Sequence, residues 1–301
     1  MANLGPGLDC MGAAIDLHNT FAVSPRPGVR VRGEGAGALS EGPDNLVMRA
    51  ARRAAEHLGR ALPADLGIEC ENRIPLRRGL GSSAAAIVGG ILLADALLDG
   101  GLEPIDVMRL GLEFEDHPDN LAPALFGGVC IALRDEEGVR VVRLEPPAEL
   151  VPVLVVPGCQ LSTRRSRRVL PAEVPLRHAV ANVARAALLT AALLGSGREA
   201  LGAALSDDLH QPYRLSLVPW FQDLVRAGRR AGAYGVVLSG AGPSALALSP
   251  PDRVAAVREA LEGTLHRLGV EARVLPASFV AQGARVEGKY RRDGETVIQH
   301  L

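Results

Sequence analysis

The segment Pro75-Leu76-Arg77-Arg78-Gly79-Leu80-Gly81-Ser82-Ser83-Ala84-Ala85-Ala86 constrains this chain more than any other. Two glycines let the backbone turn tightly and approach a ligand closely. Two serines then open a nearly all-apolar stretch, Ser82 to Leu98, which predicts a helix buried on most sides. A helix start presents unpaired N–H groups and the positive end of a dipole, so both stabilise an anion there. The serine hydroxyls can also contact a phosphate or a metal ion. A plain glycine loop with a serine N-cap is the simplest alternative. A dinucleotide fingerprint is another, since Gly79-x-Gly81-x-x-Ala84 fits it. That fingerprint needs a buried strand running into the first glycine, and here Pro75, Arg77 and Arg78 precede it. A Walker A loop is excluded, because the sequence holds no Gly-Lys-Ser/Thr.

Lys289 is the only lysine in the chain. Phosphate chemistry must therefore rely on backbone amides, arginines and metal. The formal net charge of −1 gives no reason to expect a nucleic-acid or membrane-surface partner. With 301 residues, 48% of them hydrophobic, the chain can form one large domain or two ordinary ones. Glu145-Pro146-Pro147 breaks the pattern and divides it into 1–147 and 148–301. Cys10, Cys70, Cys130 and Cys159 are widely spaced with no Cys-x-x-Cys pair, so they read as buried free thiols of a reducing compartment. The longest apolar stretch, Ala84 to Leu98, carries two glycines and Asp95 and is too short to span a bilayer. With no signal peptide in view, a soluble cytoplasmic protein is expected.

Strand-like and helix-like stretches alternate, which predicts an α+β or α/β protein. Short strands are expected at 21–23 and 29–31, with a helix over Asn45 to Leu58 capped by Asp44. A strand at 67–70, a helix from Pro104 to Glu113 and a hairpin of 129–133 with 139–144 follow. Beyond the prolines come a buried strand at 150–156 and helices near 176–194 and 199–205. A helix ending before Gly232, a strand at 236–238, a helix over 252–268 and a strand near Arg273 complete a βααβαβ-like order. That order suits an antiparallel sheet covered by helices.

The block Pro-Leu-x-x-Gly-Leu-Gly-Ser-Ser-Ala-Ala resembles the phosphate loop of the GHMP kinases, which phosphorylate small alcohols such as galactose, mevalonate and homoserine. Four further blocks support the match. Ala2-Asn3-Leu4-Gly5-Pro6-Gly7-Leu8-Asp9-Cys10-Met11-Gly12 is similar to the first motif of that family, and Leu238-Ser239-Gly240-Ala241-Gly242-Pro243-Ser244 to its third. His117-Pro118-Asp119-Asn120-Leu121-Ala122-Pro123, together with Gln211-Pro212-Tyr213-Arg214, resembles the homoserine branch in particular. The resemblance spans essentially the whole chain. It implies the two-domain GHMP kinase fold: an N-terminal ATP-binding α/β domain and a C-terminal ferredoxin-like α+β domain, with the active site in the cleft between them. ATP, Mg²⁺ and L-homoserine are the implied ligands, and a homodimer is common. Another acceptor alcohol, or a non-catalytic relative that only binds nucleotide or metabolite, stays open.

Roles follow from the same resemblance. Pro75, Gly79, Leu80, Gly81, Ser82, Ser83 and Ala84, with Gly240 and Gly242, are the implied ATP contacts. Asn45 matches an adenine-pocket position, with helix capping as its alternative. Ser83 and Glu113 are the implied metal contacts; one hydroxyl and one carboxylate suffice for Mg²⁺. Glu115 lies two residues away and competes with Glu113. Arg167 and Arg214 match carboxylate-binding arginines, with Thr163 one turn before Arg167. Asp9 and His117 match groups near the substrate amine, and Asn3 the residue that holds the reacting hydroxyl. Asp119 is the nearest candidate for a general base. The resemblance implies instead that no base is needed, the proton passing to the γ-phosphate. The family's first motif normally follows a strand and a Pro-Ala-Thr-Ser segment that are absent before Ala2. This form is therefore expected to be less stable or less active than an N-terminally extended one.

Overall fold

A computed structural model describes residues 1–288 and 298–300; Lys289 lies outside them. The strands are β1 (Ala2–Asn3), β2 (Gly7–Ala13), β3 (Thr20–Ser24), β4 (Gly28–Gly33), β5 (Gly67–Asn72), β6 (Val129–Asp135), β7 (Gly138–Leu144), β8 (Val151–Pro157), β9 (Gly235–Leu238), β10 (Ala245–Ser249), β11 (Ala272–Pro276), β12 (Arg285–Glu287) and β13 (Ile298–His300). The helices are α1 (Leu46–His57), α2 (Ser82–Leu98), α3 (Pro104–Gly111), α4 (Pro118–Phe126), α5 (Thr163–Arg168), α6 (Leu176–Leu193), α7 (Leu201–Ala204), α8 (Gln211–Arg214), α9 (Phe221–Arg230) and α10 (Val254–Arg267).

Two compact units result, neither continuous in sequence. The first comprises Met1–Asp16, Arg77–Leu80 and Leu144–Ala281; the second comprises Leu17–Leu76, Gly81–Arg143 and Gln282–Leu301. The switch at Leu144 falls beside the expected break at 147, but the division is not the consecutive 1–147 and 148–301. The reason is hydrogen bonding at the N-terminus. β1 pairs antiparallel with β2. Gly240 N–H donates to the Ala2 carbonyl and Asp16 N–H to that of Ser278, so the opening residues fold with the C-terminal half.

In the first unit the sheet order is β11-β8-β10-β9, antiparallel throughout. Taken in chain order, these four strands lie 4-1-3-2, the ferredoxin-like arrangement. α9 and α10 supply Leu224, Val257 and Leu261 to a core that meets Val153, Val155 and Val236 of the sheet. β10 was not expected. Its sequence, Ala-Leu-Ala-Leu-Ser, lacks β-branched residues and sits between prolines, so only the pairing with β8 and β9 reveals it.

In the second unit β4, α1 and β5 form a parallel crossover, and β3 flanks β5 on its other edge in antiparallel register. The strands expected at 21–23 and 29–31 are therefore not neighbours; β5 lies between them. α1 and α2 pack closely because Gly90 has no side chain. A Cβ there would lie 2.3 Å from the Val47 carbonyl oxygen. One core beneath this pair holds Phe21, Val31, Met48, Ile68 and Leu93. A second holds Ala50, Ala54, Ile87, Ile91, Met108, Leu121 and Cys130. α2 is buried along most of its length, as its composition predicts.

All four cysteines are free. Cys70 and Cys130 are buried, and burial pushes both thiols up to about 12, which makes them unreactive. Cys159 is exposed and Cys10 half-buried, so the expectation of buried thiols holds for two of the four. Among the described residues, no helix is long and apolar enough to cross a membrane.

Candidate active site

In the first unit three distant stretches meet at one carbonyl group, that of Gly240. Asn3 Nδ2 donates to it at 2.8 Å and Arg214 Nη1 at 3.1 Å. The glycine turn that carries it is braced by Ser239, whose hydroxyl donates to the Gly79 carbonyl at 2.8 Å. Gly79 sits at φ +71, and a Cβ there would lie 2.1 Å from the Ser239 carbonyl oxygen. Only glycine fits both the dihedral and the space. Ser166, fully buried in α5, adds a bond to the Ala241 carbonyl at 2.7 Å.

Asn3 and Asp9 both adopt left-handed backbone, at φ +69 and +61. Asn and Asp tolerate that region better than most residues. The conformation lets Asn3 Oδ1 accept the Asp9 N–H at 3.0 Å, so the amide is held at both ends. Asp9 in turn meets Arg167, with Nη2–Oδ1 at 2.5 Å and Nη1–Oδ2 at 3.2 Å. Thr163 stands exposed at the first position of α5, where Ser162 is the N-cap.

Arg214 is 1% exposed. Behind it lies His210, fully buried, which the sequence did not single out. Its Nδ1 is 2.9 Å from Arg214 Nη1, and its Nε2 is 2.7 Å from the Gly5 carbonyl. Asp207 holds the start of α8 by accepting N–H bonds from Leu209, His210 and Gln211. The signal that could have found these residues is compositional: an Asp and a His beside Gln-Pro-Tyr-Arg in a stretch otherwise headed for burial.

In the second unit α2 begins at Ser82, and its N-cap is Gly81 at φ +83, not a serine. Ser82 and Ser83 are thus the first two helical residues, and neither hydroxyl caps the helix. The Ser83 hydroxyl bonds the carboxylate of Glu115 instead. Burial raises the pKa of Glu115, and the Ser83 bond opposes that rise in part.

Ser83 is thus set against Glu115, and Glu113 has a different partner. α3 ends at Gly111, and 112–114 form a turn leading to Glu115 rather than a continued helix. α1 grips that turn from outside. Arg53 takes Glu113 with both arms, Nε–Oε2 at 2.6 Å and Nη2–Oε1 at 2.8 Å. Arg49 lies over the Phe114 ring, 5.5 Å from its centroid. Glu113 therefore faces solvent and Arg53, while Glu115 turns inward to the start of α2.

Asn45 is the N-cap of α1, replacing Asp44 in that role. Its Oδ1 accepts from Val47 N–H at 3.0 Å and its Nδ2 donates to the Ser40 carbonyl at 2.6 Å. Of the two roles open to Asn45, capping is the one observed. His117 is the N-cap position of α4, and Asp119, in its first turn, is 4% exposed. Pro75 is buried in this unit, whereas Gly79 and Leu80 belong to the first. The chain thus passes from one unit to the other inside the glycine loop. Among the described residues, no group of three or more His, Cys, Asp or Glu could hold a metal ion. One carboxylate beside one hydroxyl at a helix start is an oxygen-only set that fits Mg²⁺ with phosphate and water as its other ligands.

Comparison with known proteins matches residues 45–128 to the GHMP kinases N terminal domain and residues 186–267 to the GHMP kinases C terminal domain. The chain is 44% identical to the homoserine kinase of Thermosynechococcus vestitus, covering 95% of each chain. It is 42% identical to that of Carboxydothermus hydrogenoformans, covering 98% of this chain and 96% of the relative. Among solved structures, the homoserine kinase from Cytophaga hutchinsonii superposes with a TM-score of 0.82 at 31% identity, covering 94% of this chain and 93% of that one. L. major mevalonate kinase, solved with R-mevalonate, shares the fold at a TM-score of 0.67 and 17% identity, covering 90% and 89%.

Proposed function

The chain belongs to the GHMP kinase family and within it to the homoserine kinases, and on that premise we propose how it phosphorylates L-homoserine with ATP. The products are O-phospho-L-homoserine and ADP. One observation carries the reading: the first unit gathers one carboxylate, two guanidiniums and an oriented amide around a glycine turn. A zwitterionic amino alcohol needs that set. Its ammonium pairs with Asp9, its carboxylate with Arg167 and Arg214, and its hydroxyl with Asn3. Mevalonate has no ammonium to meet Asp9, and an uncharged sugar has neither an ammonium for Asp9 nor a carboxylate for the arginines.

Asn3 is already held by Gly240 and the Asp9 N–H. Its amide keeps a second hydrogen and a second lone pair for the acceptor hydroxyl. Because Asp9 and Arg167 pair with each other here, the zwitterion enters by replacing one internal ion pair with two new ones. Gly79, Leu80 and Gly81, with the N–H groups opening α2 at Ser82, Ser83 and Ala84, cradle the phosphates. Glu115 and Ser83 would hold Mg²⁺, which when bound neutralises charge on the phosphates. Reaction then depends on positioning and charge stabilisation, the acceptor proton going to the transferred phosphate. On this reading Asp119→Asn is expected to keep folding, ATP binding and most of the turnover; a dead but folded variant would make Asp119 the base.

The experiment for the whole reading is ADP release with Mg-ATP against homoserine, mevalonate, galactose and shikimate. Turnover selective for homoserine is expected. Nucleotide binding without turnover of any alcohol would favour a non-catalytic relative. Arg214→Ala should lower kcat/KM for homoserine by roughly ten- to a hundred-fold, the equivalent of about 1.5–3 kcal/mol for a lost charged hydrogen bond. An unchanged kcat/KM removes Arg214 from the site.

A further inference from the structure

His210 makes two hydrogen bonds with opposite demands. A guanidinium can only donate, so Nδ1, 2.9 Å from Arg214 Nη1, must be the acceptor. The proton then sits on Nε2 and is donated to the Gly5 carbonyl at 2.7 Å. The ring has no solvent exposure, so this neutral tautomer is dictated by its two partners. The same Arg214 nitrogen also reaches the Gly240 carbonyl, the atom that orients Asn3. One imidazole thus links the glycine turn after Asn3 to the arginine that the acceptor's carboxylate would meet.

We propose that His210 is a positioning residue: as the neutral Nε2–H imidazole it fixes the Arg214 guanidinium, and so sets the affinity for the acceptor's carboxylate end. This rests on the assignment of homoserine as acceptor. The charged groups acting on the ring are Asp207 and Asp9, which favour its protonation, and Arg214, which opposes it. Burial is the largest influence and holds its pKa below the ordinary histidine value. A proton on Nδ1 would set two donors face to face and release Arg214. As pH falls below the ordinary histidine range, at about 6.5, the unfolded chain binds the proton before the native state does, so native stability declines. Homoserine affinity declines at lower pH still, when the native ring itself titrates.

The test compares His210→Phe with His210→Gln, which keeps an acceptor and a donor in the side chain. His210→Phe is expected to raise the homoserine KM by about ten-fold or more, leaving the ATP KM within about two-fold. His210→Gln should recover part of that loss and should remove the acid limb from the pH profile of kcat/KM for homoserine. Equal damage to both substrates, or an unchanged homoserine KM, would overturn the proposal. A second readout needs no acceptor. ¹⁵N NMR of the wild-type ring at neutral pH should show Nδ1 unprotonated, with its shift moving in Arg214→Lys. An Nδ1–H tautomer or a doubly protonated ring would refute the positioning role even where His210→Phe fails to fold. If homoserine is not turned over at all, the acceptor reading falls, while the NMR result still decides whether His210 holds Arg214.

Discussion

Glu115→Gln is expected to lower kcat by about two to three orders of magnitude, the usual loss when one electrostatic stabiliser of a transition state is removed. Glu113→Gln is expected to leave kcat within about two-fold. The two residues stand two apart, but the turn after α3 sends them to different environments. Glu113 is an exposed partner of Arg53, and such pairs contribute under about 1 kcal/mol. Glu115 is set against Ser83 at the start of α2, where a Mg-phosphate would be held. A thermal measurement separates the roles further. Because burial raises the Glu115 pKa, the native state holds that proton more firmly than the unfolded chain. Its contribution to stability is present below the ordinary carboxyl range, about 4.3, and is lost as pH rises through the native value. The ionised group therefore destabilises the metal-free protein at neutral pH. Glu115→Gln should match or exceed the wild-type Tm without Mg²⁺, and the wild type alone should gain Tm when Mg²⁺ is added. If Glu113→Gln is instead the damaging change, the Arg53 pair must open on ligand binding and Glu113 regains the metal role.

Gly79→Ala is expected to lower kcat/KM for ATP by about a hundred-fold or more, since displacing a reacting group by 1 Å can cost that much. Two penalties combine there. The left-handed dihedral costs a residue with a Cβ about 1–2 kcal/mol. The new methyl would also collide with the Ser239 carbonyl, a backbone atom that cannot rotate aside. Relief requires the glycine loop and the Ser239–Gly242 turn to separate. That motion would also shift the Gly240 carbonyl on which Asn3 and Arg214 rest, so homoserine kinetics should suffer with those of ATP. Gly59→Ala is the control. Gly59 has φ +63 but open space around it, so that variant isolates the dihedral penalty. Similar kinetics for the two variants would mean that the collision is relieved without cost, and the brace would lose its importance.

Much of this architecture was legible from local patterns. The glycine loop, the all-apolar α2, the β6–β7 hairpin and the amphipathic α1 each declare themselves within a dozen residues. β10 did not, because its small and unbranched side chains have weak strand preference without their neighbours. The choice between Glu113 and Glu115 was illegible for another reason. It depends on where α3 stops, and helix ends are the least certain part of any sequence reading. The resemblance favoured Glu113, yet side chains on α1, some sixty positions earlier, hold Glu113 and Phe114 and so favour Glu115. His210 was hidden because a buried histidine looks like any other until its two partners are known.

The Asn3–Gly240 bond joins residues 237 positions apart. A ribosome makes the second of them long after the first, an interval on the order of tens of seconds at common elongation speeds. Throughout that time the N-terminal hairpin has no β9–β10 turn to dock on. A nascent or prematurely terminated chain can thus fold much of its second unit and still be unable to orient an acceptor hydroxyl. Orientation of the acceptor hydroxyl by Asn3 therefore awaits synthesis of the β9–β10 turn.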